Sequence, residues 1–221
     1  MSRVGFCTLL CCVRLFAGGP SPIAVFMDFK SEPSVEAVEQ MEHEISTIMH
    51  PAGLKFDWRM MKDRHTGESF GDLVVFTFKG HCETLRPTYD ELGPIAIRQP
   101  LASTHVSEGH ILPFSDVECD TIRSYIASSV ASAQPADRER ILGRAIGRVV
   151  AHEMYHMLAS TTEHAQAGVA RSFHTRKDLT DPEFHFTSHE TKLLRDLKGI
   201  SPQAGSGNQS HGHPVNFFRL K

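Results

Sequence analysis

Residues 135–159 constrain this chain most, because they have the pattern of one long helix. Apolar residues recur at helical spacing and form a continuous face. They are Ile141, Leu142, Ala145, Ile146, Val149, Val150 and Leu158. Pro135 can open the helix, and Asp137 and Glu139 suit the positive end of its dipole. We expect Gly143 and Gly147, four residues apart, to let the helix pack closely against a sheet.

Within this helix, residues 149–158 contain only one charged side chain, that of Glu153. A helix segment with two histidines, one glutamate and no other charge is typical of a buried position. A buried carboxylate needs a partner or a function, because its isolated burial is costly. The alternative is a glutamate with a structural role only, whose buried carboxylate is hydrogen-bonded by histidines of the core.

Two histidines on this helix predict a metal site, in the sequence His152-Glu153-Met154-Tyr155-His156. His152 and His156 are rotated by about 40° from one another on an α-helix, so both imidazoles can reach one ion. Nitrogen ligands at this spacing suit one Zn²⁺ ion. Glu153 is offset by about 100° from His152, so it can lie beside the ion and take a proton from its water.

This motif resembles that of the zincin metallopeptidases, and the metzincin-like members most closely. In that family HExxH is followed by a glycine turn and a third histidine. Here Ala159 and Thr162 occupy those two positions, and His164 follows two residues later. No methionine follows Met157, so the methionine turn of the family is absent. The resemblance implies a zinc-dependent hydrolase with His152, His156 and His164 as metal ligands and Glu153 as general base.

The third ligand has alternatives to His164. A turn after residues 159–160 would bring His164 back to the ion. Glu163 is adjacent, and Glu190 would correspond to the zincins whose third ligand is a downstream glutamate. Glu190 also ends a Thr-Ser-His-Glu capping-box pattern that can satisfy helix donors instead. The other candidates are His174, His185 and His189.

The strand and helix patterns predict an α+β, three-layer-like domain. We expect a twisted, mostly parallel sheet of four or five strands with an antiparallel edge strand. The early helix and the long HExxH helix would pack on it. Predicted strands are 23–29, 54–61, 72–79, 94–98 and 111–114, with Pro113 placing the last at an edge. One helix is predicted to begin after residues 31–34. Three further helices are predicted over 116–132, 135–159 and 187–197.

The first 20 residues have the layout of a signal peptide, although Arg14 interrupts the apolar run. Removing residues 1–20 would leave two of the five cysteines, Cys82 and Cys119, which predicts one disulfide. We therefore expect a secreted or periplasmic protein. The peptidase domain would span 21–198, and a flexible polar tail would span 199–221.

Composition limits the possible partners. The formal charge of −3 argues against nucleic acid as a partner. No run of about 20 apolar residues exists, so we expect no stable membrane insertion after leader removal. The expected partner is a peptide or protein substrate, paired as a strand with the sheet edge at 94–98 or 111–114. The alternative is a catalytically inactive domain that binds zinc or a protein partner.

Overall fold

A computed structural model describes residues 21–84 and 100–200, together with the backbone of Phe218–Arg219. The predicted signal peptide (1–20), the predicted strand 94–98 and residues 201–217 and 220–221 of the predicted tail lie outside the described residues. The strands are β1 (Ile23–Phe29), β2 (Phe56–Met60), β3 (Ser69–Phe70), β4 (Leu73–Lys79), β5 (Ala102–Ser107), β6 (His110–Glu118) and β7 (Phe218–Arg219). The helices are α1 (Val35–Met49), α2 (Cys119–Ser132), α3 (Arg138–Ala159), α4 (Arg176–Thr180) and α5 (Ser188–Leu197).

Five of these strands form one sheet in the order β2-β1-β4-β6-β5. All neighbours are parallel except β5, which runs antiparallel to β6 at the edge. This arrangement confirms the predicted α+β class with a mostly parallel sheet and an antiparallel edge strand. β3 and β7 form a separate antiparallel pair.

The predicted edge position of 111–114 is wrong. These residues belong to β6, which lies inside the sheet between β4 and β5. Pro113 is tolerated there because β6 pairs with β4 only from Phe114 onward. On the other side, the pairing with β5 shifts register between Thr104 and Val106, where a missing N–H group costs least.

The main core lies between one face of the sheet and helices α1, α2 and α3. The strands contribute alternate residues such as Val25 and Met27, as the period of two requires. A smaller cluster around Phe26 and Val75 covers the opposite face. Among the described residues, no helix combines the length and the apolar character that crossing a membrane requires.

Helices α1 and α3 pack through glycine, which corrects the expectation that Gly143 and Gly147 face the sheet. A Cβ atom at Gly143 would lie 2.3 Å from the carbonyl oxygen of Ala37, and one at Gly147 would lie 2.9 Å from that of Met41. Both oxygens belong to α1. The two glycines therefore allow the helix backbones to approach more closely than side chains would permit.

A buried ion pair joins the same two helices. Arg148 of α3 is fully buried, and its Nε atom donates to Glu44 of α1 at 2.7 Å. Its Nη1 atom donates to the carbonyl oxygen of Asp178 at 2.6 Å. Burial lowers the pKa of Arg148, and the bond with Glu44 opposes that shift. The guanidinium thus connects α1, α3 and the short helix α4.

Cys82 and Cys119 have their sulfur atoms at disulfide-bond distance, with Cα atoms 5.1 Å apart. This agrees with the predicted pairing. The bond joins the segment that follows β4 to the first residue of α2. It closes a loop over a sequence separation of 37 residues.

We expect Gly143→Ala to lower the free energy of unfolding by about 1–3 kcal/mol, because the added methyl group overpacks the contact with α1. Chemical denaturation measures this value. Gly71→Ala is the matched control, since a Cβ atom there meets no atom within 4 Å. Equal stability of the two variants would contradict the packing described for α1 and α3.

Candidate metal centre

Helix α3 places His152, Glu153 and His156 inside the protein. Its buried residues run without interruption from Ala145 to Leu158. The three polar side chains are each less than a tenth exposed, although they line a cleft. The helix spacing therefore presents two imidazoles and a carboxylate to one cleft.

The chain reverses direction directly after this helix. α3 ends at Ala159, and Ser160 adopts the left-handed conformation with φ 48° and ψ 45°. The amides of Ser160 and Thr161 both donate to the carbonyl oxygen of His156. Where the metzincin-like pattern has glycine at position 159, this chain makes its turn one residue later, at a serine. The turn returns His164 toward the helix.

Three histidines converge as a result. His152, His156 and His164 each offer a ligand atom, and these atoms all lie within 4.8 Å of one another. The Nε2 atoms of His152 and His156 are 3.1 Å apart. The ring of His164 lies 5.3 Å from that of His152 and 4.7 Å from that of His156, measured between centroids.

Backbone carbonyl groups orient two of the rings. The Nδ1 atom of His152 lies 2.8 Å from the oxygen of Val169, and that of His156 lies 2.7 Å from the oxygen of Thr161. A carbonyl oxygen only accepts, so each Nδ1 atom carries the proton when it donates. The Nε2 atoms then present lone pairs.

The donor set fits a divalent cation. Burial lowers the pKa of His152 to about 3, so this ring is neutral near pH 7. Burial also lowers the pKa of His164. Two nitrogen lone pairs 3.1 Å apart repel each other unless a proton or a cation lies between them. Tetrahedral Zn²⁺ with bonds of about 2.0–2.1 Å separates its nitrogen ligands by about 3.3 Å, close to this distance.

The other candidate ligands lie elsewhere or have other partners. His174 is buried, but its Nε2 atom is 2.9 Å from the oxygen of Val169, the same oxygen that His152 contacts. Glu190 accepts from the backbone amide of Thr187 in a complete capping box, as its alternative interpretation predicted. Glu163, His174 and Glu190 do not belong to the histidine cluster found in the described part of the chain.

Glu153 lies next to this cluster and is fixed by the edge strand. The hydroxyl group of Thr104 on β5 donates to the carboxylate of Glu153 at 2.5 Å. Burial raises the pKa of Glu153, and the hydrogen bonds from Thr104 oppose that shift. Thr104 therefore holds the carboxylate in one orientation while leaving its basicity above that of an exposed glutamate.

The cluster opens onto a cleft of about 800 Å³. One wall is β5, whose outer edge pairs with no other strand among the described residues. The remaining walls come from α2 and from the segment after His164. A cleft of this volume, bordered by a strand edge that is unpaired among the described residues, can hold an extended peptide next to the histidines.

Sequence reasoning did not identify Thr104, Val169 or Tyr125. Tyr125 donates through its hydroxyl group to the carbonyl oxygen of His174, at 3.0 Å, and so ties α2 to the site. Val169 acts through its backbone oxygen, which no side-chain pattern reveals. Thr104 lies on β5, a strand without a strong apolar alternation, and only its pairing with β6 places it beside Glu153.

We expect the turn at Ser160 to control metal affinity. Ser160→Val should weaken zinc binding about tenfold, because a β-branched residue with positive φ costs about 1–3 kcal/mol. Ser160→Gly should bind zinc at least as tightly as the parent, since glycine adopts this conformation freely. Competition with a chromophoric chelator measures both. Ser128→Val, at an exposed position of α2, is the control, and equal affinities for the valine and glycine variants would contradict the role of the turn.

No protein-family model matches the chain, and no match was found among curated proteins. The chain is similar in structure to archaemetzincin from Methanopyrus kandleri. The alignment covers 80% of this chain and 95% of that one, with 9% sequence identity and a TM-score of 0.47. At these values the match supports no conclusion about the chemistry of this chain.

Proposed function

We propose that this chain is a zinc-dependent metallopeptidase that hydrolyses peptide bonds. The observation that carries the proposal is the convergence of three histidines beside the buried carboxylate of Glu153, in an open cleft. His152, His156 and His164 would hold one zinc ion. When bound, zinc supplies Lewis acidity, which polarises a carbonyl group and lowers the pKa of a neighbouring water molecule toward about 7.

The residues of the chain account for the remaining requirements. Glu153 would accept a proton from the attacking water and later deliver it to the leaving amine. Thr104 would keep the carboxylate oriented for this transfer through its 2.5 Å hydrogen bond. The carbonyl groups of Val169 and Thr161 would hold the rings of His152 and His156 in the tautomer that binds metal through Nε2.

The edge strand β5 would bind the substrate. Its backbone groups can pair with an extended peptide, which fixes the scissile bond relative to the metal site. This proposal replaces the expectation that residues 111–114 form the edge, because these residues belong to β6, which lies between β4 and β5 in the strand order. Thr104 lies on the same strand, so substrate binding and the orientation of Glu153 depend on one element.

For location, we propose that the protein is secreted or periplasmic. The leader-like sequence of residues 1–20 supports this, as does the Cys82–Cys119 pair, because disulfides persist in oxidising compartments.

Zinc binding tests the first part of the proposal. We expect one zinc ion per chain, and His164→Ala should weaken its affinity about 100-fold, because the variant loses one of the three proposed protein ligands. His189→Ala is the matched control, because His189 is exposed and lies outside the cluster. Unchanged affinity in His164→Ala would remove His164 from the proposed ligand set.

Hydrolysis tests the second part. Glu153→Gln should retain zinc but lose about 10²–10⁴-fold in turnover of a fluorescence-quenched peptide library, as expected for loss of a general base. Glu163→Gln, an exposed carboxylate in the adjacent turn, should keep the parent rate. A Glu153→Gln variant as active as the parent would contradict the mechanism. One bound zinc ion without cleavage of any peptide would favour the inactive zinc-binding domain.

A further inference from the structure

One wall of the cleft is polar in a way that the peptidase chemistry does not require. Thr121, Ser124 and Tyr125 line the cleft from α2. Their spacing of three and four residues places them on one face of that helix. Arg176, on α4, lines the same cleft and contacts this wall.

A hydrogen bond holds the Arg176 side chain in place, but no acidic side chain among the described residues neutralises its charge. Its Nε atom donates to the carbonyl oxygen of Tyr125 at 3.0 Å, which fixes the guanidinium against α2. This bond leaves the two Nη groups of the side chain as donors. Among the described residues Arg176 forms no ion pair, whereas Arg171, which also lines the cleft, is paired with Asp178.

The α2 side of the cleft carries a cation that has no acidic partner among the described residues. Of the described residues that line the cleft, Arg171 and Arg176 are cationic and Glu153 is the only acidic one. Arg171 is already paired with Asp178. Glu153 accepts a hydrogen bond from Thr104 on the β5 wall. The positive charge of Arg176 is therefore available to a ligand.

Ser124 adds a second observation on the same wall. Its hydroxyl oxygen is buried and has no hydrogen-bond partner within the described part of the chain. A buried hydroxyl group without a partner costs about 1–3 kcal/mol. A polar ligand group that entered beside Ser124 would provide the missing partner.

We infer that the α2 wall is a specificity subsite for a carboxylate, so that the protein prefers peptides with an aspartate or glutamate side chain close to the scissile bond. The two Nη groups of Arg176 would bind the carboxylate in a bidentate manner, which matches the fork of a guanidinium. Ser124 and Thr121 would add hydroxyl donors. The inference rests on the proposed function for the chemistry that follows binding, but the binding itself is separately measurable.

The test uses two peptides that differ only by glutamate or glutamine, with the varied position scanned around the central bond. Glu153→Gln protein, loaded with zinc, is titrated with each peptide by calorimetry so that no cleavage occurs. At one position we expect the glutamate peptide to bind about tenfold more tightly, the effect of a charge-assisted hydrogen bond. Adding Arg176→Gln should abolish the difference, and Arg176→Lys should keep part of it.

Lys177→Gln is the control, because it removes the same charge from the next residue of α4, which does not line the cleft. It should leave the preference unchanged. Equal binding of both peptides, binding of neither, or a preference that survives Arg176→Gln would overturn the inference.

Cleavage by the parent protein separates this inference from the proposed function. Selective binding of the glutamate peptide without cleavage would support the carboxylate subsite and contradict the proposed peptidase activity. Cleavage without any preference between the two peptides would support the peptidase activity and contradict the carboxylate subsite.

Discussion

Burial of helix α3 is the constraint on which the site depends. The helix carries two imidazoles and a carboxylate into the protein, where each polar atom needs a partner. The helix is held in place by its close contact with α1, through Gly143 and Gly147, and by the buried pair of Arg148 and Glu44. The position of the histidines therefore follows from packing that begins about one turn before His152 on the same helix.

The partners of the buried polar groups come mostly from backbone. Val169 and Thr161 supply carbonyl oxygens to the Nδ1 atoms of His152 and His156, and Thr104 supplies a hydroxyl group to Glu153. These contacts leave the Nε2 lone pairs directed at each other. Under the proposed function, a cation bound between them would relieve this repulsion at the base of the cleft.

The sequence was sufficient for the parts of the structure that depend on local periodicity. β1 has the predicted bounds, α1 begins after Ser34, and α3 ends at Ala159 as expected. Apolar residues that recur with a period of two residues indicate a strand, and those with a period of 3.6 residues indicate a helix. These patterns can be recognised without knowing which elements pack against them. The spacing of His152 and His156 was predictable for the same reason.

The parts that depend on long-range pairing were not predictable. β5 has a polar sequence, and it forms a strand because its backbone pairs with that of β6. The sequence pattern therefore predicted neither the role of Thr104 nor the position of β5 at the edge of the described sheet. Gly143 and Gly147 showed close packing by their spacing, but only the fold reveals α1 as their partner. The left-handed serine at position 160 replaces a glycine signal that the sequence does not contain.

The most direct test of the account is a crystal structure of the zinc-loaded protein with anomalous data collected at the zinc edge. We predict one anomalous peak within about 2.0–2.1 Å of a ring nitrogen from each of His152, His156 and His164. A peak held by other residues, or no peak between these three rings, would contradict the metal centre from which the proposed function follows.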